Sequence, residues 1–214
     1  MNISELHALW KHKRTQIEKH IGEFRAIGRT ACDDDLFAEL VFCLFTPQSR
    51  ALSCWAAVKQ LKKDKVLKNG KQDRIARIIG GKGVRFKNNK ARYVVEARRL
   101  TSVGSNSLRS ILETCATPFE ARLWLVKNVK GLGLKEASHF LRNIGYGDDL
   151  SILDRHILKN LMHLGVIRTI PKNLSQKIYI DIEKKMVLFS KKINIPLGHL
   201  DLVLWYNETG TIFK

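Results

Sequence analysis

The spacing of apolar and polar positions predicts helix along nearly the whole chain. In residues 3–26, Leu6, Leu9, Trp10, Ile17, Ile21 and Phe24 fall on roughly one face, with charged residues opposite. The run DDDLFAELVFCLFT (33–46) opens with carboxylates suited to a helix N-terminus and then turns apolar on every side, as expected of a central buried helix. Pro47 ends it. Helices are expected next over 49–63 and 71–81, and the glycines at 80, 81 and 83 break the chain before a helix over 86–100. Further helices are predicted at about 105–115, 118–128, 134–144, 154–164, 174–192 and 196–206. In the second-last of these, Leu174, Ile178, Ile182, Met186 and Phe189 make the apolar stripe. No alternating strand pattern outlasts four residues with turn signals on both sides, so the expected fold is all-α.

Composition narrows what such a fold does. A length of 214 residues suits one domain, or two small lobes sharing a core, and needs no covalent staples. Lys and Arg number 38 against 20 Asp and Glu, a net charge of +18. That excess disfavours compaction by self-repulsion and points to a polyanionic partner. The basic residues are spread through structured segments, which implies a folded binding surface rather than a disordered arm. Of four cysteines, Cys43, Cys54 and Cys115 sit in apolar runs and read as reduced, buried thiols; Cys32 does not. With no cysteine after 115, a C-terminal iron–sulfur knot is excluded, and the seven histidines show no metal-ligand spacing. Without a secretory segment or an apolar run of 18 residues, a cytoplasmic protein with no membrane contact is expected.

Two constellations carry candidate chemistry. In WLVKNVKGLGLKEASHFLRNIG (124–145) an apolar helix runs into Gly131-Leu132-Gly133 and a second helix begins near Leu134. Glycines allow a tight hairpin whose outward amides, beside a helix N-terminus, would bind a phosphate. The other reading is a plain turn between core helices; the positive charge of the chain favours the phosphate. Lys135 stands where the helix dipole disfavours an ammonium, as does neighbouring Lys130. A lysine so placed can become a neutral nucleophile able to attack C1′ of a deoxyribose. It can equally be one more surface lysine on a phosphate. Nineteen residues on, Asp154 in SILDRHILKNL reads as a helix N-cap, a role compatible with stabilising a positive sugar or orienting the amine. A basic stretch with interleaved aromatics, KGVRFKNNKARYVVEARR (82–99), gathers Lys82, Arg85, Lys87 and Lys90 near a helix start, where they could meet phosphates.

GLGLKEASHFLRNIG followed by LDRHIL resembles the helix-hairpin-helix DNA glycosylases, and most of all their second 8-oxoguanine glycosylase/AP lyase family of compact archaeal and bacterial enzymes. LFTPQSRA (44–51), VRFKNNKARYV (84–94) and HLDLVLWY (199–206) with a final lysine extend the resemblance. It implies two helical lobes with the hairpin at the cleft between them. Residues 30–130 would form a central helical bundle, and 1–29 with 131–214 a second lobe carrying the hairpin, Lys135 and Asp154. By the same resemblance Lys135 is the Schiff-base lysine and Asp154 the catalytic aspartate. Gln48 fills the gap left by the extruded base, and Phe86 and Trp205 sandwich 8-oxoguanine. Lys214 recognises it through an α-carboxylate that accepts the N7–H of the oxidised base. An acceptor facing the N7 of ordinary guanine would instead lose about 1–3 kcal/mol. Arg50, Arg85, Lys87, Lys130, Gly131 and Gly133 complete the expected DNA contacts. The implied partner is duplex DNA containing 8-oxoguanine, acted on by a monomer with no metal or cofactor. The competing expectations are a non-catalytic DNA-gripping module and a same-fold glycosylase for another lesion.

Overall fold

A computed structural model describes residues 1–101 and 107–214. Among them there are helices and no strand, in the order α1 (Ile3–Thr30), α2 (Asp33–Phe45), α3 (Ala51–Lys63), α4 (Val66–Asn69), α5 (Gln72–Gly81), α6 (Lys87–Thr101), α7 (Leu108–Glu113), α8 (Pro118–Asn128), α9 (Leu134–Asn143), α10 (Arg155–His163), α11 (Gln176–Lys192) and α12 (Leu197–Thr209). The expected start of a helix at 105 lies outside the described residues. The chain divides into two compact units, Ile27–Phe140 and Met1–Ala26 with Leu141–Lys214.

The central unit is built around α2. Every residue from Leu36 to Phe45 is buried, including Glu39, so the helix is apolar on all sides because it has no solvent side. Helices α3, α6 and α7 pack on it, and α5 packs on α3 and α6. The short α4 had no periodic signature at four residues. It exists because the Arg98 guanidinium of α6 collects the carbonyls of Val66, Leu67 and Gly70 at 3.2, 3.0 and 3.0 Å. Gly80 and Gly81 close α5 inside the helix expected over 71–81, and the break comes after them, at Gly83 with φ +78°.

The hairpin groups with the central unit, because the division between the compact units falls inside α9, after Phe140; the resemblance implied a boundary at 130. The cause is local packing. Leu132, Leu134 and Ala137 are buried, Ser138 accepts a 3.1 Å bond from Arg122 of α8, and the His139 ring meets Phe42 edge-on at 5.5 Å.

In the terminal unit α12 packs against α10 and α11. The expected stripe of α11 holds at Ile182, Met186 and Phe189, which are buried, and differs at its start, where Tyr179 is buried and Ile178 exposed. Tyr179 turns inward because its hydroxyl has two buried backbone partners, donating to Ser151 O at 2.6 Å and accepting from Leu153 N at 3.2 Å. Cys43 and Cys54 are buried as expected, Cys115 is half-buried, and all four cysteines are free thiols.

Candidate active site

The central unit carries the hairpin. Helix α8 starts with Pro118 in its first turn, and Thr117 Oγ1 accepts from Glu120 N at 3.2 Å. It ends at Asn128, and the chain turns through Leu132 N donating to Val129 O at 3.2 Å. Gly131 has φ +92°, and a Cβ there would overlap the Tyr93 ring of α6, so backbone conformation and space both demand glycine. Leu132 is buried and anchors the turn, while Gly131 and Gly133 face solvent. One expectation needs correcting. The Gly133 amide does not point outward unengaged; it donates to Glu136 Oε2 at 3.3 Å. Gly133 precedes α9 and Glu136 is its third residue, so this carboxylate answers an orphan amide at the helix N-terminus.

Lys135 lies in the first turn of α9 with 24% of its side chain exposed, its Nζ 3.5 Å from Glu136 Oε1. One carboxylate therefore spans the hairpin amide and the candidate nucleophile.

Gln48 and Phe86 share an unusual backbone. Their φ values are +55° and +57°, a region that β-carbon-bearing residues seldom occupy and that concentrates at functional sites. Gln48 is exposed in the turn after α2, where Ser49 N donates to Thr46 O at 3.0 Å. Phe86 is 52% exposed, with the Arg85 guanidinium 5.4 Å from its ring centre. Arg50, Arg85, Lys87 and Lys130 are exposed, as phosphate contacts require.

Lys90 is not among them. It is only 4% exposed, so it cannot reach a phosphate. Its ammonium donates to Phe45 O at 2.6 Å, Pro47 O at 2.7 Å and Ser49 Oγ at 3.1 Å. Burial pushes its pKa down to about 8; Cys54 and Glu136 oppose that shift, and Arg85 and Lys135 add to it. The nearby Cys54 thiol is pushed up to about 11 by burial, which keeps it a neutral thiol. A signal for Lys90 was present: Lys90, Ala91, Val94 and Ala97 form the buried stripe of α6.

The terminal unit carries Asp154, Trp205 and Lys214. Asp154 is the N-cap of α10, and its Oδ1 accepts from both His156 N and Ile157 N, at 2.8 and 2.9 Å. The extended residues before it are pinned by α11, through Tyr179 and through Glu183 Oε1, which accepts from Ser151 N at 2.9 Å. Trp205 is half-buried, and the His156 ring meets it edge-on at 5.4 Å. Glu208 Oε2 lies 3.5 Å from His156 Nδ1. Burial opposes its ionisation, yet hydrogen bonds from Lys159, Asn160 and His156 hold its carboxyl below the usual range. Past α12, Gly210 turns the chain in the left-handed region, its amide donating to Tyr206 O at 2.8 Å. Ile212 is buried and Lys214 half-buried, so the tail is tied down. The sequence reading did not single out Lys90 as a structural cation, nor Glu136, Tyr179, Glu183 or Glu208.

A family model described as 8-oxoguanine DNA glycosylase matches residues 17–195. An 8-oxoguanine DNA glycosylase/AP lyase of Fusobacterium nucleatum is 43% identical over 213 residues, covering 99% of this chain and 97% of that one. One from Korarchaeum cryptofilum is 41% identical over 94% of this chain and 91% of its own. Among solved structures, the Methanocaldococcus jannaschii 8-oxoguanine glycosylase/lyase in complex with a 15mer DNA containing 8-oxoguanine superposes with a TM-score of 0.90. That pair is 34% identical, with 99% of each chain covered. A glycine hairpin with a lysine in the first helical turn after it, an aspartate cap and a match over nearly all of the chain lead to one assignment: the protein belongs to the 8-oxoguanine DNA glycosylase family.

Proposed function

We propose that this protein excises 8-oxoguanine from duplex DNA and then nicks the abasic strand by β-elimination. The observation that carries the reading is Lys135: a partly exposed amine in the first turn of α9, beside a hairpin whose Gly131 admits no side chain. The neutral amine attacks C1′ of the extruded nucleotide as the bond from C1′ to the base breaks and the base leaves with a proton. Ring opening gives a Schiff base between Nζ and C1′. Loss of a C2′ proton then expels the 3′ phosphate, and hydrolysis frees the lysine. Asp154 stabilises the positive sugar; its Oδ1 is fixed by capping, which aims the remaining carboxylate oxygen. Gln48 fills the vacated place in the stack, and Phe86, Trp205 and Lys214 recognise the base. Arg50, Arg85, Lys87, Lys130 and the glycine hairpin hold phosphates. The enzyme works as a monomer in the cytoplasm.

The test is borohydride trapping and strand cleavage on duplexes carrying a panel of base lesions. Wild type is expected to trap and cleave preferentially at 8-oxoguanine, and Lys135→Ala to do neither. Binding without trapping would make the protein a non-catalytic DNA module. Preference for another lesion would reassign the substrate.

A further inference from the structure

We infer that Lys90 is a positioning residue for base extrusion: its buried ammonium sets Gln48 and Phe86, two of the four described non-glycine residues with positive φ, in the poses the damaged nucleotide meets. The inference rests on the roles proposed for those two residues and adds what holds them.

An ammonium has three protons to donate, and Lys90 gives one each to Phe45 O, Pro47 O and Ser49 Oγ. None of these acceptors is a carboxylate. A buried cation is retained at a desolvation cost that an apolar residue of similar size would avoid, so its polar contacts must do something packing cannot. Those contacts converge on one place. Pro47 and Ser49 are the immediate neighbours of Gln48, and Phe45 O lies at the C-terminal end of α2, where a positive charge is favourable. Ser49 Oγ also accepts from the amide of Arg85, the residue before Phe86, at 3.0 Å. The Lys90 amide in turn donates to Phe86 O at 3.0 Å, and Nζ lies 6.0 Å from the Phe86 ring centre. Gln48 and Phe86, 38 residues apart in the chain, are thus tied to one hub, the first through both its flanks and the second through Ser49 Oγ and the amide of its neighbour Arg85. Left-handed conformations in residues with a β-carbon persist only where the surroundings over-determine them. Lys90 and Ser49 supply that determination.

A purely structural lysine would lower every activity together, whereas a positioning lysine acts on extrusion and base release. Lys135 needs neither Gln48 nor Phe86 to form a Schiff base with a sugar that has already lost its base. The experiment compares single-turnover excision of 8-oxoguanine with β-elimination at a preformed abasic site, for wild type, Lys90→Met and Ser49→Ala. Each protein is checked for a cooperative thermal transition. For Lys90→Met, excision is expected to fall by about tenfold or more, the rate equivalent of lost positioning hydrogen bonds, while abasic-site cleavage changes less than about threefold. Ser49→Ala, which removes one shared acceptor, is expected to shift in the same direction by a smaller factor. In wild type the ratio of excision to abasic-site cleavage should fall as pH rises past about 8, where Lys90 sheds its proton among Cys54, Glu136, Arg85 and Lys135, and this limb should vanish in Lys90→Met. Equal losses in both activities, or no loss in either, overturn the inference. If Lys90→Met does not fold, the same split in Ser49→Ala decides. Failure of wild type itself to excise 8-oxoguanine would instead sink the proposed function, and it is read from the wild-type control alone.

Discussion

At the scale of single residues, Asp154 combines two roles that substitution can separate. Its Oδ1 caps α10, and in the proposed mechanism its charge stabilises the sugar. Asn retains an oxygen acceptor for the cap and loses the charge, so Asp154→Asn should keep thermal stability to within a few tenths of a kcal/mol. Its excision rate should drop by about a hundredfold or more, as when one electrostatic stabiliser is removed. Asp154→Ala should lose the same activity and about 1 kcal/mol of stability besides. Melting curves and single-turnover rates check both; full activity in the Asn variant would leave Asp154 as a cap alone. Glu208 offers a pH test. Its folded pKa is depressed, so its contribution to stability is complete above the unfolded value of about 4.5 and is lost as pH falls through the folded one. Glu208→Gln should therefore flatten the acid limb of stability below about pH 4.5 relative to wild type. An unchanged limb would mean other carboxylates carry it.

At the scale of elements, chemistry is supported from neighbouring helices. The Ser151–Leu153 segment leads into Asp154, and α11 holds it through Tyr179 and Glu183. Tyr179→Phe keeps the ring and strands a buried carbonyl and amide, at a cost of about 1–3 kcal/mol, with excision falling more than DNA binding. Chemical denaturation and binding titrations measure the two effects, and an unaltered stability would contradict the pinning role. Most helices were legible because long 3.6-residue periods and Pro, Gly or carboxylate boundaries mark them locally; α8 matches its expected limits of 118–128. What was hidden depends on tertiary partners. The inward turn of Tyr179 follows from two backbone groups 26 and 28 residues away in the chain. The existence of α4 follows from Arg98, and the burial of Lys90 from carbonyls more than 40 residues distant. The Gly133–Glu136 contact was local and could have been read from a glycine followed three residues later by glutamate before an apolar run. The hairpin glycine, the lysine after it and the aspartate cap of α10 were legible as local features because each stands at a fixed offset from a helix start.

At the scale of the whole molecule, a charge of +18 sets how DNA is held. Affinity for duplex DNA should fall log-linearly with salt, with a slope of about −0.9 per neutralised phosphate. Removing Arg85 or Lys87, both exposed, should reduce the magnitude of that slope by about 1 each. Lys90→Met should leave it unchanged, because Lys90 is buried; a reduced slope there would return Lys90 to the phosphate contacts the sequence suggested. Of the candidate residues, Lys135 belongs to the central unit and Asp154 and Trp205 to the terminal one. The division after Phe140 leaves Lys135 with the hairpin it begins from rather than with the aspartate. The central claim is that Lys135 is the nucleophile. It is tested most directly by reducing the covalent intermediate with borohydride on 8-oxoguanine duplex, digesting the protein and mapping the sugar adduct by mass spectrometry. The account predicts a single adduct on Lys135; an adduct on Lys87, Lys90 or Lys130, or none at all, would contradict it.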